Sequence, residues 1–149
     1  MAIHKQKAFA YITHGSRLLV FRHVHHPEAG IQVPAGTVKE GEPPEAAVMR
    51  EAFEETGLTE LSFDSYLGEQ IWAMTAAGHE EIHHRRFYHL RCAGTPPKVW
   101  RHVEGDPSDG SGASYLFELY WADLPNGIPG LIAEHDALLP ALLKRLALT

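Results

Sequence analysis

The stretch "EPPEAAVMREAFEETG", Glu42 to Gly57, constrains the fold of this chain more than any other. Two prolines open it and a glycine closes it. Glu42-Pro43-Pro44 is a good entry, since a proline at the first helical position lacks only an N–H that would be unpaired anyway. Gly57 accepts the left-handed backbone that ends a helix. Between them, at about 100° per residue, Ala46, Val48, Met49, Ala52 and Phe53 gather into one apolar arc. Glu51, Glu54 and Glu55 fall on the opposite side, and Arg50 sits at the border, four residues before Glu54. One guanidinium cannot pair three carboxylates, and Glu51 and Glu55 form a like-charge i,i+4 pair. The local sequence allows two readings, a solvated face with one ion pair or a cradle for a cation.

The segments around this helix read mainly as strands. Residues 7–24 suggest two short strands around a turn at His14-Gly15-Ser16. Residues 25–36 carry Pro27, Gly30, Pro34 and Gly36 and read as loop, brief strand, loop. Residues 61–74, 82–92 and 115–124 have strand character, with 98–103 a weaker candidate. Residues 104–114 read as a polar, Gly-rich loop. A closing helix carries Leu139, Leu142, Leu143 and Leu146 at i, i+3, i+4, i+7, with Pro140 in its first turn or kinking it. Mixed strands flanked by two helices predict an α/β or α+β layered domain. The length of 149 residues predicts one domain spanning 1–149.

Charge and histidine content narrow the function classes. Thirteen Lys and Arg against nineteen Asp and Glu leave a formal charge of −6, with a pI near 6.0. A nucleic-acid grip usually needs a basic face, so no nucleic-acid partner is expected. A phosphate ligand would then draw on a divalent cation for neutralisation. No apolar run is long enough to span a bilayer and no signal-like segment opens the sequence, so a cytoplasmic location and no membrane partner are expected. Cys92 stands alone, which excludes a disulfide framework and a CxxC pair. "HEEIH", His79 to His83, fits the HExxH zinc pattern. However, the residues after it are β-branched and aromatic, and a strand would separate the two imidazoles.

Upstream residues decide between the two readings of the helix. Gly36, Glu42, Arg50, Glu51, Glu54, Glu55 and Gly57 stand at the spacing G-x5-E-x7-R-E-U-x-E-E-x-G-U, where U is a bulky aliphatic residue. "GTVKEGEPPEAAVMREAFEETGL" (36–58) resembles the box of the Nudix hydrolases at every fixed position, with the smaller Ala52 at one U. The strand order resembles that family's αβα sandwich, a mixed β-sheet between helices.

The resemblance implies that Glu51, Glu54 and Glu55 bind Mg²⁺ or Mn²⁺, with a backbone carbonyl of Ala35 or Gly36 as a further ligand. Hard oxygen donors suit such ions. It also implies that Arg50 and Glu42 hold the helix and its glutamates in place. The implied reaction is hydrolysis of a phosphoanhydride in a nucleoside diphosphate linked to another group: a nucleoside triphosphate, a nucleotide sugar or a dinucleotide. The base is Glu51 or a late-loop carboxylate, for which Glu104, Asp106 and Asp109 are candidates. Arg85, Arg86 and Arg101 are candidate phosphate contacts, and Trp72 a candidate stacking platform.

The family's markers for ADP-ribose and diadenosine polyphosphates are absent at Met74, Thr75 and Ala76. The substrate is therefore expected to be a small-molecule nucleoside diphosphate derivative of open identity, with a homodimer also left open. Two other classes compete: a non-catalytic Nudix-fold nucleotide-binding or sensor domain, and a zinc hydrolase using His79 and His83.

Overall fold

The structure, a computed structural model, describes residues 1–104 and 114–148. Among the described residues, seven strands run β1 (Ile3–His14), β2 (Arg17–His23), β3 (Ala35–Thr37), β4 (Leu61–Ala76), β5 (His79–Cys92), β6 (Val99–Glu104) and β7 (Tyr115–Asp123). Helix α1 (Pro44–Thr56) follows β3, and α2 (Leu139–Arg145) follows β7. The sheet has the order β4-β5-β1-β2-β7-β6, and β3 pairs with β1. β1 and β5 are parallel, whereas the other pairs are antiparallel, so the sheet is mixed. Among the described residues, no helix is long and apolar enough to cross a membrane.

β1 shows why the two helices lie on opposite faces. Residues 8–12, Ala-Phe-Ala-Tyr-Ile, are apolar without alternation, as expected of a strand covered on both sides. Ala8, Ala10 and Ile12 join Ala47, Val48 and Ala52 of α1 in one core. Phe9 and Tyr11 join Leu142 of α2 in the other. Successive side chains on a strand point to opposite faces, which produces the αβα sandwich.

The site is positioned by a divergence within the sheet. β2 pairs with β1 only at Thr13–Leu18 and His14–Arg17, beside the turn. Beyond it the two strands part, and residues 32–37 fill the gap. The Phe21 N–H donates to the Gln32 carbonyl at 2.9 Å and the Ala10 N–H to the Pro34 carbonyl at 2.8 Å. β3 then pairs Ala35, Gly36 and Thr37 with Phe9, Ala8 and Lys7. The chain therefore reaches α1 from inside the sheet.

One expectation fails on α1. Its buried residues are Ala47, Val48, Glu51, Ala52, Glu55 and Thr56, while Ala46 and Phe53 are exposed. The helix is rolled so that two of the three glutamates face inward, and only Glu54 stays outside. Hydrophobicity favours burying Phe53. The face that α1 presents to β3 and β6 instead meets Gly36 and Glu104, a polar and sterically open neighbourhood that takes carboxylates.

Candidate active site

The inward face of α1 brings carboxylates together. Glu51, Glu55 and Glu104 each offer an oxygen within 4.8 Å of the others, and all three are buried. Glu104 ends β6, whose Trp100 and His102 reach α1 by the strand's period of two: Trp100 Nε1 donates to the Thr56 carbonyl at 2.8 Å, and His102 Nε2 lies 2.8 Å from the Glu54 carbonyl. Two residues further, the same face carries Glu104 to the cluster. Asp106 and Asp109 lie outside the described residues.

The cluster is electrostatically costly without a cation. Burial, then the Glu104 and Glu51 charges, push the Glu55 carboxyl well above the usual carboxylate range. The Ala35 N–H opposes this by donating to Glu55 Oε1 at 2.7 Å. Three carboxylates in this volume call for a proton or a cation, and an all-oxygen donor set suits a hard divalent ion. Gly36 makes the cradle sterically feasible, since a Cβ there would run into the Glu51 carboxyl group. The residues present fit Mg²⁺ or Mn²⁺.

Arg50 braces this arrangement. Its Nε and Nη2 donate to the two oxygens of Glu42 at 2.8 and 2.9 Å, a bidentate pair. Nη2 also reaches the Thr37 carbonyl at 3.2 Å, and Nη1 donates to Glu51 at 2.8 Å. The Arg50 hydrogen bonds hold Glu42 down to about 2. The Lys39 N–H donates to Glu42 at 3.0 Å, so a single guanidinium links the loop before α1 to Glu51. Glu54 lies apart, 40% exposed and 3.4 Å from Arg50 Nη1. Gly57 ends α1 at φ 73°, its N–H donating to the Phe53 carbonyl.

On the other side of β3 is an open cleft of about 200 Å³ lined by Lys7, Phe9, Gln32, Ala35, Gly36, His83 and His135. Lys7 Nζ donates to Thr37 Oγ1 at 2.7 Å. Burial and the Lys5 charge lower its pKa. Lys7 and His135 escaped the sequence reading; the one signal for Lys7 is a cation at the start of an otherwise apolar strand.

The proposed substrate contacts fare differently. Arg85 is 4% exposed, its guanidinium 4.9 Å from the Phe9 ring and 4.5 Å from the Trp72 ring. One face of the half-buried Trp72 ring is thus taken by Arg85. Arg86 donates to Gln6 at 2.8 Å. Arg101 pairs with Glu118 on the sheet face opposite Trp100 and His102, away from α1. The HExxH reading also falls, because His79 and His83 lie on β5. Glu81, not Glu80, sits between them, 3.0 and 2.8 Å from their Nε2 atoms. A strand cannot present the helical i,i+4 zinc pair.

The fold and the cradle together define a class, and comparison with known proteins agrees. The NUDIX domain family matches residues 4–124, and the chain belongs to the Nudix family. Solved structures share its fold. A MutT NUDIX hydrolase from Burkholderia pseudomallei is 24% identical, covering 93% of this chain and 95% of that one, with a TM-score of 0.60. A UDP-X diphosphatase is 13% identical with a TM-score of 0.63, covering 97% of this chain and 63% of that one. A bifunctional NMN adenylyltransferase/ADP ribose pyrophosphatase from Francisella tularensis, solved with AMP and a Mn ion, is 16% identical. It covers 98% of this chain and 43% of that one, with a TM-score of 0.59. No curated protein matches the sequence significantly.

Proposed function

We propose that this protein is a Mg²⁺- or Mn²⁺-dependent pyrophosphohydrolase that splits the phosphoanhydride of a nucleoside diphosphate derivative. The observation that carries the reading is the buried cluster of Glu51, Glu55 and Glu104, separated only by the β3 backbone from a cleft with a lysine in its wall. Glu51, Glu55 and Glu104 would hold the ion, and Glu54 adds a nearby negative charge felt by Glu55. When bound, the ion supplies positive charge that screens the diphosphate and acidifies water.

The chain's own residues supply the rest. Arg50 orients Glu51, and the Ala35 N–H orients Glu55, so neither carboxylate needs to reorganise. Lys7 offers a cation to substrate phosphates at the cleft wall. Glu51 or Glu104 accepts the proton of the attacking water. Removing that proton makes the oxygen nucleophilic; it attacks phosphorus while the bridging oxygen leaves with the other phosphoryl group.

The test is a panel of nucleoside triphosphates, nucleotide sugars and dinucleotides, each with Mg²⁺, Mn²⁺ or Zn²⁺. Release of a nucleoside mono- or diphosphate with Mg²⁺ or Mn²⁺, and its loss in Glu51→Gln, is the expected result. No cleavage of any member would leave the binding-domain reading standing instead.

A further inference from the structure

Residues 132–135 adopt an unusual backbone. Ala133 and Glu134 both have left-handed φ, 49° and 56°, although neither is glycine. Such a pair persists only where the surroundings over-determine it. Here Arg85 Nη1 donates to the Ala133 carbonyl at 2.6 Å, and Gln70 Nε2 to Glu134 Oε1 at 2.9 Å. The Tyr11 hydroxyl donates to the His135 carbonyl at 2.6 Å, and the Ile132 N–H to the Ile31 carbonyl at 3.0 Å. Arg85 is buried between Phe9 and Trp72 to make its contact. This is considerable apparatus for one turn.

The turn delivers His135 to the cleft. The Val33 N–H donates to His135 Nδ1 at 3.2 Å, so Nδ1 is the acceptor and the neutral ring carries its proton on Nε2. The ring edge packs against Phe9 with centroids 4.9 Å apart, which fixes its plane. Burial, reinforced by the Arg85 charge, lowers its pKa to about 4, so the ring is uncharged at neutral pH. Among the described residues Nε2 has no protein partner, and the ring lines the cleft beside Gln32 and Gly36. The result is an oriented, uncharged donor in the cleft wall.

We propose that His135 is a specificity residue whose Nε2–H donates to a carbonyl or ring nitrogen of a nucleobase in the cleft. Arg85 acts as its positioning residue through the Ala133 carbonyl. The inference rests on the cleft being the substrate site of the proposed hydrolase. An uncharged donor suits a base acceptor, whereas the diphosphate is met by Lys7 and the cation cradle. A site built to donate to one acceptor discriminates against ligands lacking it.

The test measures binding, so that it does not depend on turnover. Calorimetric titrations with the four common nucleoside monophosphates and with inorganic pyrophosphate, in Mn²⁺, are compared for the wild type, His135→Asn, Arg85→Met and Arg85→Lys. Asn keeps an acceptor for the Val33 N–H but does not reach the Nε2 position. The preferred nucleoside monophosphate should bind His135→Asn roughly ten-fold more weakly, with pyrophosphate affinity unchanged. Arg85→Met should behave likewise, and Arg85→Lys should restore part of the loss.

In the wild type, the His135 Nε2–H resonance should shift on adding nucleotide but not pyrophosphate, which decides the matter if a variant fails to fold. Unchanged nucleotide affinity in His135→Asn, equal losses for nucleotide and pyrophosphate, or no nucleotide binding by the wild type would overturn the proposal. Failure of the hydrolysis panel with nucleotide binding intact would remove only the hydrolase reading.

Discussion

Glu54 and Glu55 are neighbours in sequence, yet Glu54 is 40% exposed beside Arg50 and Glu55 is 7% exposed among carboxylates. The two therefore respond differently to the same substitution. The folded Glu55 carboxyl has a raised pKa, so the folded state binds more protons than the unfolded chain above the ordinary carboxylate range. Its contribution is present below the unfolded value of about 4.5 and is lost as pH rises through the folded value. Glu55→Gln cannot ionise and should melt higher than the wild type without divalent ions, by a margin that widens from pH 5 to pH 8. The same variant should lose most of the stabilisation that Mn²⁺ gives the wild type, and turnover should fall on the order of 100-fold. Glu54→Gln should leave the metal-free melting temperature within about 1 °C, a surface effect. Thermal scans across pH, with and without Mn²⁺, check all of these.

At the scale of elements, α1 shows what the sequence made legible and what it did not. Its ends follow from local chemistry, Pro44 at the first turn and Gly57 at φ 73°, and both were readable. The roll of the helix was not, because the apolar arc that favours Phe53 is outweighed by neighbours far away in sequence, Gly36 and Glu104. The role of Arg85 was hidden for the same reason: Phe9, Trp72 and Ala133 meet only through folding. Two predictions belong at this scale. Arg50→Lys keeps the charge but loses the fork to Glu42, which should cost about 1–3 kcal/mol in urea unfolding and at least ten-fold in turnover. Gly57→Ala must hold a left-handed φ and meet His102 Nδ1 at 2.8 Å, which should cost about 1 kcal/mol or more.

For the whole molecule, buried histidines and paired carboxylates act in the same direction in acid. His83, His89 and His135 all have lowered pKa values, caused first by burial. For His135, with a folded value of about 4 against 6.5 unfolded, the contribution is complete above pH 6.5 and is lost as pH falls through 4. Glu42 and Glu81, both held down to about 2 by hydrogen bonds from Arg50 and His83 respectively, lose their contributions below pH 4.5. These groups lower stability as pH falls below 6.5, against the opposite contribution of Glu55, and His135→Asn should reduce that loss between pH 6.5 and 4 in urea titrations. Asp64, which joins Arg91 and His89 of β5 to Arg145 of α2, holds the last helix to the sheet. Asp64→Asn should let α2 exchange its amide hydrogens faster than β1.

β1 lies at the centre of the sheet, and its parallel partner β5 arrives only with residues 79–92. During synthesis the apolar run Ala8–Ile12 must therefore wait for about eighty further residues, roughly 4–16 s at usual elongation rates. Until then only its edge toward residues 34–37 can be paired, and the other edge is open to chaperones and to other chains. The topology that sets Lys7 beside Thr37 and Gly36 beside Ala8 also makes the nascent chain vulnerable, and slowed elongation before residue 92 should increase aggregation.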